Sequence, residues 1–178
     1  MEKIIYVVRH CSAEGQAPDA DLTAEGVLQA EKLVRFFDGI EIDRIITSPF
    51  VRARRSADPL AKEKGIHIEQ DSRLAERVLS SHDLGDWLVK LEATFVDVHL
   101  KYEGGESSTE AMACVRNVVD GLESGSRTVL VTHGNLMALL MSGFDGQFGF
   151  EEWQALTNPD IFTLRMTDSS TEVNRIWR

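Results

Sequence analysis

The chain predicts an α/β fold: a three-layer sandwich with a mostly parallel central sheet and helices on both faces. Three observations carry this. Short β-branched runs recur at Lys3–Arg9, Arg44–Thr47 and Arg127–Thr132, and they are continuously apolar, like strands buried on both sides. Stretches with helical apolar spacing separate them. Each strand-to-strand crossover through a helix returns the chain parallel to its start and lays that helix on a sheet face. The 178 residues contain no internal repeat, low-complexity tract or linker-like run, so residues 1–178 read as one domain.

In order, Lys3–Arg9 (KIIYVVR) is the first strand. Thr23 is a candidate N-cap for a helix over Ala24–Phe37, whose Val27, Ala30, Leu33, Val34 and Phe37 form one apolar face. Arg44–Thr47 is the second strand, and Pro49 suits the first turn of a helix that continues through Arg52 to about Lys64. His67–Glu69 reads as a short strand. The stretch Ser81–Tyr102 is ambiguous, with Trp87, Leu88, Leu91, Phe95 and Val98 pointing to helix. Glu106–Leu122 is helical, Arg127–Thr132 is a buried strand, and a helix over Asn135–Met141 starts just past Gly134. Ile161–Met166 and Glu172–Trp177 close the chain as strands.

The net charge of −10 argues against a nucleic-acid or anionic-membrane partner, because neutralising phosphates takes a broad basic surface. It leaves a small phosphorylated substrate open, since a pocket needs only local cations. No run approaches the ~18 apolar residues of a membrane helix. The N-terminus lacks the regions of a signal peptide, and the two cysteines, Cys11 and Cys114, form no disulfide framework, so a cytoplasmic location is expected. The oligomeric state is left open.

In a sheet of this class, ligands bind beyond the carboxyl ends of the strands. The first strand ends at Arg9-His10 and the fourth at Thr132-His133-Gly134, while the second leads through Ser48-Pro49 to Arg52. If the strands are parallel neighbours, Arg9, His10, Arg52 and His133 converge on one cleft. Two guanidinium forks match phosphate oxygens. The helix after Gly134 opens with free backbone N–H groups, which also favour an anion. A neutral imidazole among such donors is a candidate nucleophile toward phosphorus. The second histidine would stabilise the shifting charge, and a carboxylic acid is wanted for the leaving group.

These residues bring the chain to a family it resembles, the histidine phosphatase superfamily, also called phosphoglycerate mutase-like. Val7-Val8-Arg9-His10 looks like its strand-end Arg-His-Gly motif. The segments Leu22-Thr23-Ala24-Glu25-Gly26 through Gln29-Ala30, Ser48-Pro49-Phe50-Val51-Arg52-Ala53, Leu74-Ala75-Glu76, Gly104-Gly105-Glu106-Ser107, Val129–Gly134, and Asn158 with Ile161 follow in the family's order. The resemblance implies that His10 is the phosphorylated nucleophile and that Arg9, Arg52 and His133 form the phosphate pocket. It implies Glu76 as general acid and base, and no metal or organic cofactor. The implied activity is phosphomonoester hydrolysis. A phosphoglycerate mutase, for which the chain is short, and a non-catalytic phospho-ligand binding module are the alternatives.

Two departures qualify the match. Cys11 replaces the usual Gly and is expected either to narrow the pocket floor or to serve as a small packing residue. Ser12-Ala13 replaces an acidic-then-Thr pair. Cys11 as a cysteine-phosphatase nucleophile is disfavoured, because position 17 is Ala17 where such a site needs Arg. A metal site made by His10, His133 and Glu76 is disfavoured by the cation of Arg9. His82 reads as an exposed loop or helix-start residue, with contact to substrate the alternative because it follows Glu76 closely. His67 and His99 show no ligand spacing, and Gly143, Gly146 and Gly149 read as a flexible turn around Phe144 and Phe148. Trp87, Trp153 and Trp177 read as core or rim packing. Substrate choice should reside in Ser80–Tyr102 and Gly143–Trp153. Sugar phosphates, nucleotides, cofactor precursors such as a ribazole phosphate, and phosphoproteins all remain open.

Overall fold

The computed structural model describes residues 1–178. One six-stranded sheet runs in the order β3-β2-β4-β1-β5-β6. Its strands are β1 (Lys3–Arg9), β2 (Arg44–Thr47), β3 (Ile68–Gln70), β4 (Arg127–Thr132), β5 (Asp160–Met166) and β6 (Thr171–Arg175). The helices are α1 (Ala24–Phe36), α2 (Val51–Lys64), α3 (Trp87–Val96), α4 (Ser108–Asp120), α5 (Gly134–Ser142) and α6 (Phe150–Gln154), with a single 3-10 turn at Ser72–Leu74. No helix is long and apolar enough to cross a membrane.

The layers follow from the period of two along the buried strands. Ile5 and Val7 of β1 join Leu130, Val115, Leu136 and Met137 in a core beneath α4 and α5. The intervening Tyr6 and Val8 point the other way, into a second core with Leu33 and Phe37 from the α1 region and Ala57 and Leu60 of α2. Each such fully buried Leu or Phe contributes ~1.5–3 kcal/mol relative to exposure. The expected sandwich is therefore present.

The pairs β1–β4, β4–β2 and β2–β3 are parallel. The two closing strands differ from them: β5 runs antiparallel to β1, and β6 antiparallel to β5. Pro49 does not open a helix as expected. Phe50 is extended (φ −64°, ψ 139°) and α2 starts at Val51. The Phe50 N–H is held by Ser48 Oγ at 3.2 Å, which turns the chain at Pro49-Phe50 before α2 begins. The ambiguous middle is helical only over Trp87–Val96, and the stretch after Gly143 contains the short α6 as well as a turn.

Two capped helices bring loops to the upper edge of the sheet. Thr23 Oγ1 accepts from Gly26 N at 3.0 Å, and Ser107 forms a capping box with Glu110. Gly26 is required by close approach: a Cβ there would lie 2.1 Å from Ser12 O, so only glycine lets the loop after His10 rest on α1.

Candidate active site

Because Arg9 pairs with Thr132 across parallel strands, His10 and His133 leave the sheet in step, and their ring centroids are 5.2 Å apart. Both are buried, at 7% and 0% exposure. His10 Nδ1 is 2.7 Å from Cys11 O, an acceptor only, so this nitrogen carries the proton. Its Nε2 therefore presents a lone pair, which accepts from Arg52 Nε at 3.2 Å. Asn158 Nδ2 donates to His10 O at 3.0 Å and holds the residue from the other side.

Arg52 projects from the first turn of α2 and is 1% exposed. Its Nη1 donates to Gln16 O and Ala17 O, and Phe50 lies 5.0 Å from its guanidinium carbon. Phe50 also packs edge-on against His133, at 4.9 Å between centroids. His133 Nε2 is 2.8 Å from Ser48 Oγ. That hydroxyl already accepts from Phe50 N–H, and the imidazole is the acceptor in reach of its own proton. The network is satisfied when Ser48 donates to Nε2 and His133 bears its proton on Nδ1.

Arg9 lies flat over the start of α5. A Cβ on Gly134 would come within 2.9–3.0 Å of the Arg9 guanidinium, so glycine at the strand end makes room for that cation. Arg9 Nη1 is held by Leu156 O and Thr157 O. The loop that supplies these carbonyls, and Asn158, is anchored by buried Asp160, which pairs with Arg175 Nη2 at 2.6 Å.

Of the buried side-chain polar atoms without a partner, Arg9 Nε, His133 Nδ1 and Asn135 Nδ2 belong to this cluster. A buried donor left unmade costs ~1–3 kcal/mol. An anionic acceptor is the kind of group that would satisfy such orphaned donors.

Glu76 lines the same cleft as Arg9. One expectation is overturned here: the first amides of α5 are not free for a ligand. Asn135 N and Leu136 N donate to the Glu76 carboxylate at 3.0 and 2.9 Å, with Arg77 N at 2.8 Å. The anion at this helix terminus is the protein's own carboxylate. Burial raises the Glu76 pKa, opposed by these three amides and by the Arg9 charge.

Arg77, which sequence reasoning missed, is 6% exposed with no carboxylate within ion-pair distance. Its Nε and Nη2 donate to Glu106 O and its Nη1 to Thr94 Oγ1. Its one signal in the sequence was adjacency to Glu76. A cleft of about 680 Å3 extends outward from Arg9 and Glu76, past Arg77, Asn135, Trp87 and Trp153. His82 also lines this cleft, but it is exposed and 3.4 Å from Glu103.

Cys11 does not narrow the pocket. Its side chain is fully buried in the core with Val8, Leu22 and Ala30, and burial pushes its thiol up to about 11. Ser56 Oγ accepts from Cys11 N at 2.8 Å. No three His, Cys, Asp or Glu side chains come together as a metal site.

The model of the histidine phosphatase superfamily, branch 1, matches residues 5–177. The chain belongs to this superfamily. A 2,3-bisphosphoglycerate-dependent phosphoglycerate mutase of Methylobacterium radiotolerans is 30% identical, over 82% of this chain and 81% of the relative. A probable phosphoglycerate mutase of Escherichia coli is 31% identical, over 78% and 73%. Among solved structures, mycobacterial glucosyl-3-phosphoglycerate phosphatase superposes with a TM-score of 0.76 at 22% identity, covering 98% of this chain and 97% of that one. A phosphoserine phosphatase variant of Entamoeba histolytica, in complex with phosphoserine, gives 0.78 at 18%, covering 97% and 95%. In this histidine phosphatase the cysteine that replaces the motif's glycine is thus accommodated by turning into the core.

The two histidines also make a prediction for stability. Burial first, then neighbouring charges from Arg52 and Arg9, lowers His10 to about 4; burial, then His10, Arg52 and Arg9, lowers His133 to about 2. Unfolded, each titrates near 6.5. The unfolded chain therefore binds more protons below 6.5, and stability, complete above that pH, falls as pH drops toward 4 and below. At ~1.4 kcal/mol per unit, the His10 share alone is ~3 kcal/mol by pH 4. Urea midpoints measured from pH 7 to 4 should fall more steeply in the wild type than in His10→Asn/His133→Asn. Equal slopes would contradict the neutral assignment.

Proposed function

We propose that the chain is a phosphatase that hydrolyses phosphate monoesters through a phosphohistidine on His10, with residues 1–178 acting as one domain. The observation that carries this reading is the group of buried, unpaired donors near His10, whose unprotonated Nε2 is oriented by a hydrogen bond from Arg52 Nε. Arg9 Nε, the remaining Arg52 donors and His133 Nδ1–H hold the phosphoryl oxygens. His10 Nε2 attacks phosphorus in line, and the P–O bond to the alcohol breaks. Glu76, whose pKa burial raises, serves as the acid that gives a proton to the departing oxygen. Water then attacks the phosphorus, the N–P bond breaks, and Glu76 takes the water's proton. The products are the alcohol and inorganic phosphate. The proton stays on His10 Nδ1 throughout, donated to Cys11 O, so the ring needs no tautomer change.

Arg9 and Arg52 supply the charge that a metal would otherwise provide. Hydrolysis of p-nitrophenyl phosphate should proceed unchanged in EDTA; activity lost to chelator and restored by a divalent ion would contradict this. A cytoplasmic location belongs to the same reading and is supported by the exposed free thiol of Cys114, which suits a reducing compartment.

The likeness, near 30% identity, to phosphoglycerate mutases favours a second reading, transfer of the phosphoryl group between substrate hydroxyls. Incubation with 3-phosphoglycerate and bisphosphoglycerate separates the two: phosphate release supports hydrolysis, and isomerisation with little release supports the mutase.

A further inference from the structure

We propose that the outer cleft is a site for a flat apolar ring, so that the preferred substrates are phosphomonoesters whose alcohol carries an aromatic group. This rests on the phosphatase reading above. Trp153 of α6 and Trp87 at the start of α3 meet edge to face, with centroids 6.4 Å apart, and both line the cleft that begins at Arg9 and Glu76. Trp87 is 50% exposed and faces that space rather than the core.

The wall is braced from behind. Phe150 stacks on Trp153 at 5.5 Å, and Phe95 of α3 packs edge-on against Phe150 at 5.9 Å. Leu79, Leu84 and Leu91 add apolar surface. Arg9 also lines an adjoining cleft with Trp153 and Leu156, so an alcohol leaving a phosphate held by Arg9 departs along the indole. A pre-built aromatic surface binds a ring at low ordering cost.

The charged groups argue against a second anionic group on the substrate. Arg77 is a further cation in the cleft, but its Nε and Nη2 donate to Glu106 O and its Nη1 to Thr94 Oγ1 and, at 3.5 Å, to Asn135 Oδ1, so the protein's own acceptors engage all three nitrogens. Asp83 stands at the rim, where its carboxylate repels a distal phosphate or carboxylate.

The test compares 2-(2-naphthyl)ethyl phosphate with ethyl phosphate, whose leaving alkoxides are similar, in wild type, Trp87→Ala and Trp87→Phe. The naphthyl ester should show a kcat/KM at least about 10-fold higher in the wild type. Trp87→Ala should remove most of that advantage through KM and leave ethyl phosphate unchanged, and Trp87→Phe should restore it. Equal kcat/KM values in the wild type, or a ratio unaltered by Trp87→Ala, would overturn the proposal. Titration with the non-hydrolysable naphthylethyl phosphonate, followed by tryptophan fluorescence, reads the ring site without catalysis. If neither ester is hydrolysed, tight phosphonate binding lost in Trp87→Ala upholds the ring site while the phosphatase reading fails; binding insensitive to Trp87 overturns the ring site itself.

Discussion

His10→Ala should lose at least ~10^4-fold in kcat with p-nitrophenyl phosphate, while remaining folded. The loss is that large because the variant lacks the only imidazole whose lone pair faces the donor cluster. His133 cannot substitute, since its Nε2 is engaged by Ser48 and its Nδ1 is the protonated nitrogen. Cys11 cannot substitute either, because its thiol is buried in the core and raised to about 11. Removing a buried network of two hydrogen bonds, to Cys11 O and from Arg52 Nε, costs some stability. Circular dichroism and a thermal scan separate that from the chemical defect. Near wild-type turnover would require a different nucleophile.

Glu76→Gln should slow kcat ~10^2–10^3-fold for alkyl phosphates, whose alkoxide must be protonated to leave. With p-nitrophenyl phosphate, whose phenolate leaves unaided, the first step should survive. The second should not, because no carboxylate remains to take the proton of the attacking water. Rapid mixing should then show a burst of one nitrophenolate per chain followed by slow release. The substitution also has a structural component. The carboxylate accepts from Asn135 N and Leu136 N on separate oxygens, and an amide presents only one acceptor, so one amide of α5 loses its partner. Glu76→Asp serves as the control for that loss of placement. Equal slowing of alkyl and aryl substrates, with no burst, would remove Glu76 from proton transfer.

The central strands and the donor cluster were legible because chemistry and position coincide in the chain. A β-branched run that ends in Arg9-His10, and another that ends in His133-Gly134, place their last residues at one edge as soon as the strands are parallel neighbours, as β1 and β4 are. The antiparallel course of β5 was not legible, because an apolar run has no direction. The partner of Glu76 was hidden for a similar reason. Two of its three amide donors come from residues about sixty positions downstream, and the packing of the turn at Ser72–Leu74 against β4, through Thr132 Oγ1 to Leu74 O at 2.8 Å, helps bring them together. Arg77 carried no spacing signal, since its partners are largely backbone carbonyl and hydroxyl oxygens. The place of Trp87 and Trp153 along the cleft was not legible, because a tryptophan facing solvent across a cleft has the same one-letter context as one facing a core.

Mapping the covalent intermediate tests the account most directly. The enzyme is mixed with 32P-labelled substrate, quenched in alkali within milliseconds and digested for phosphopeptide analysis. One label per chain, stable to alkali, lost in acid and confined to the peptide that contains His10, is the result expected. Label on Cys11 or His133, or full turnover with no covalent phosphate at any time, would contradict it.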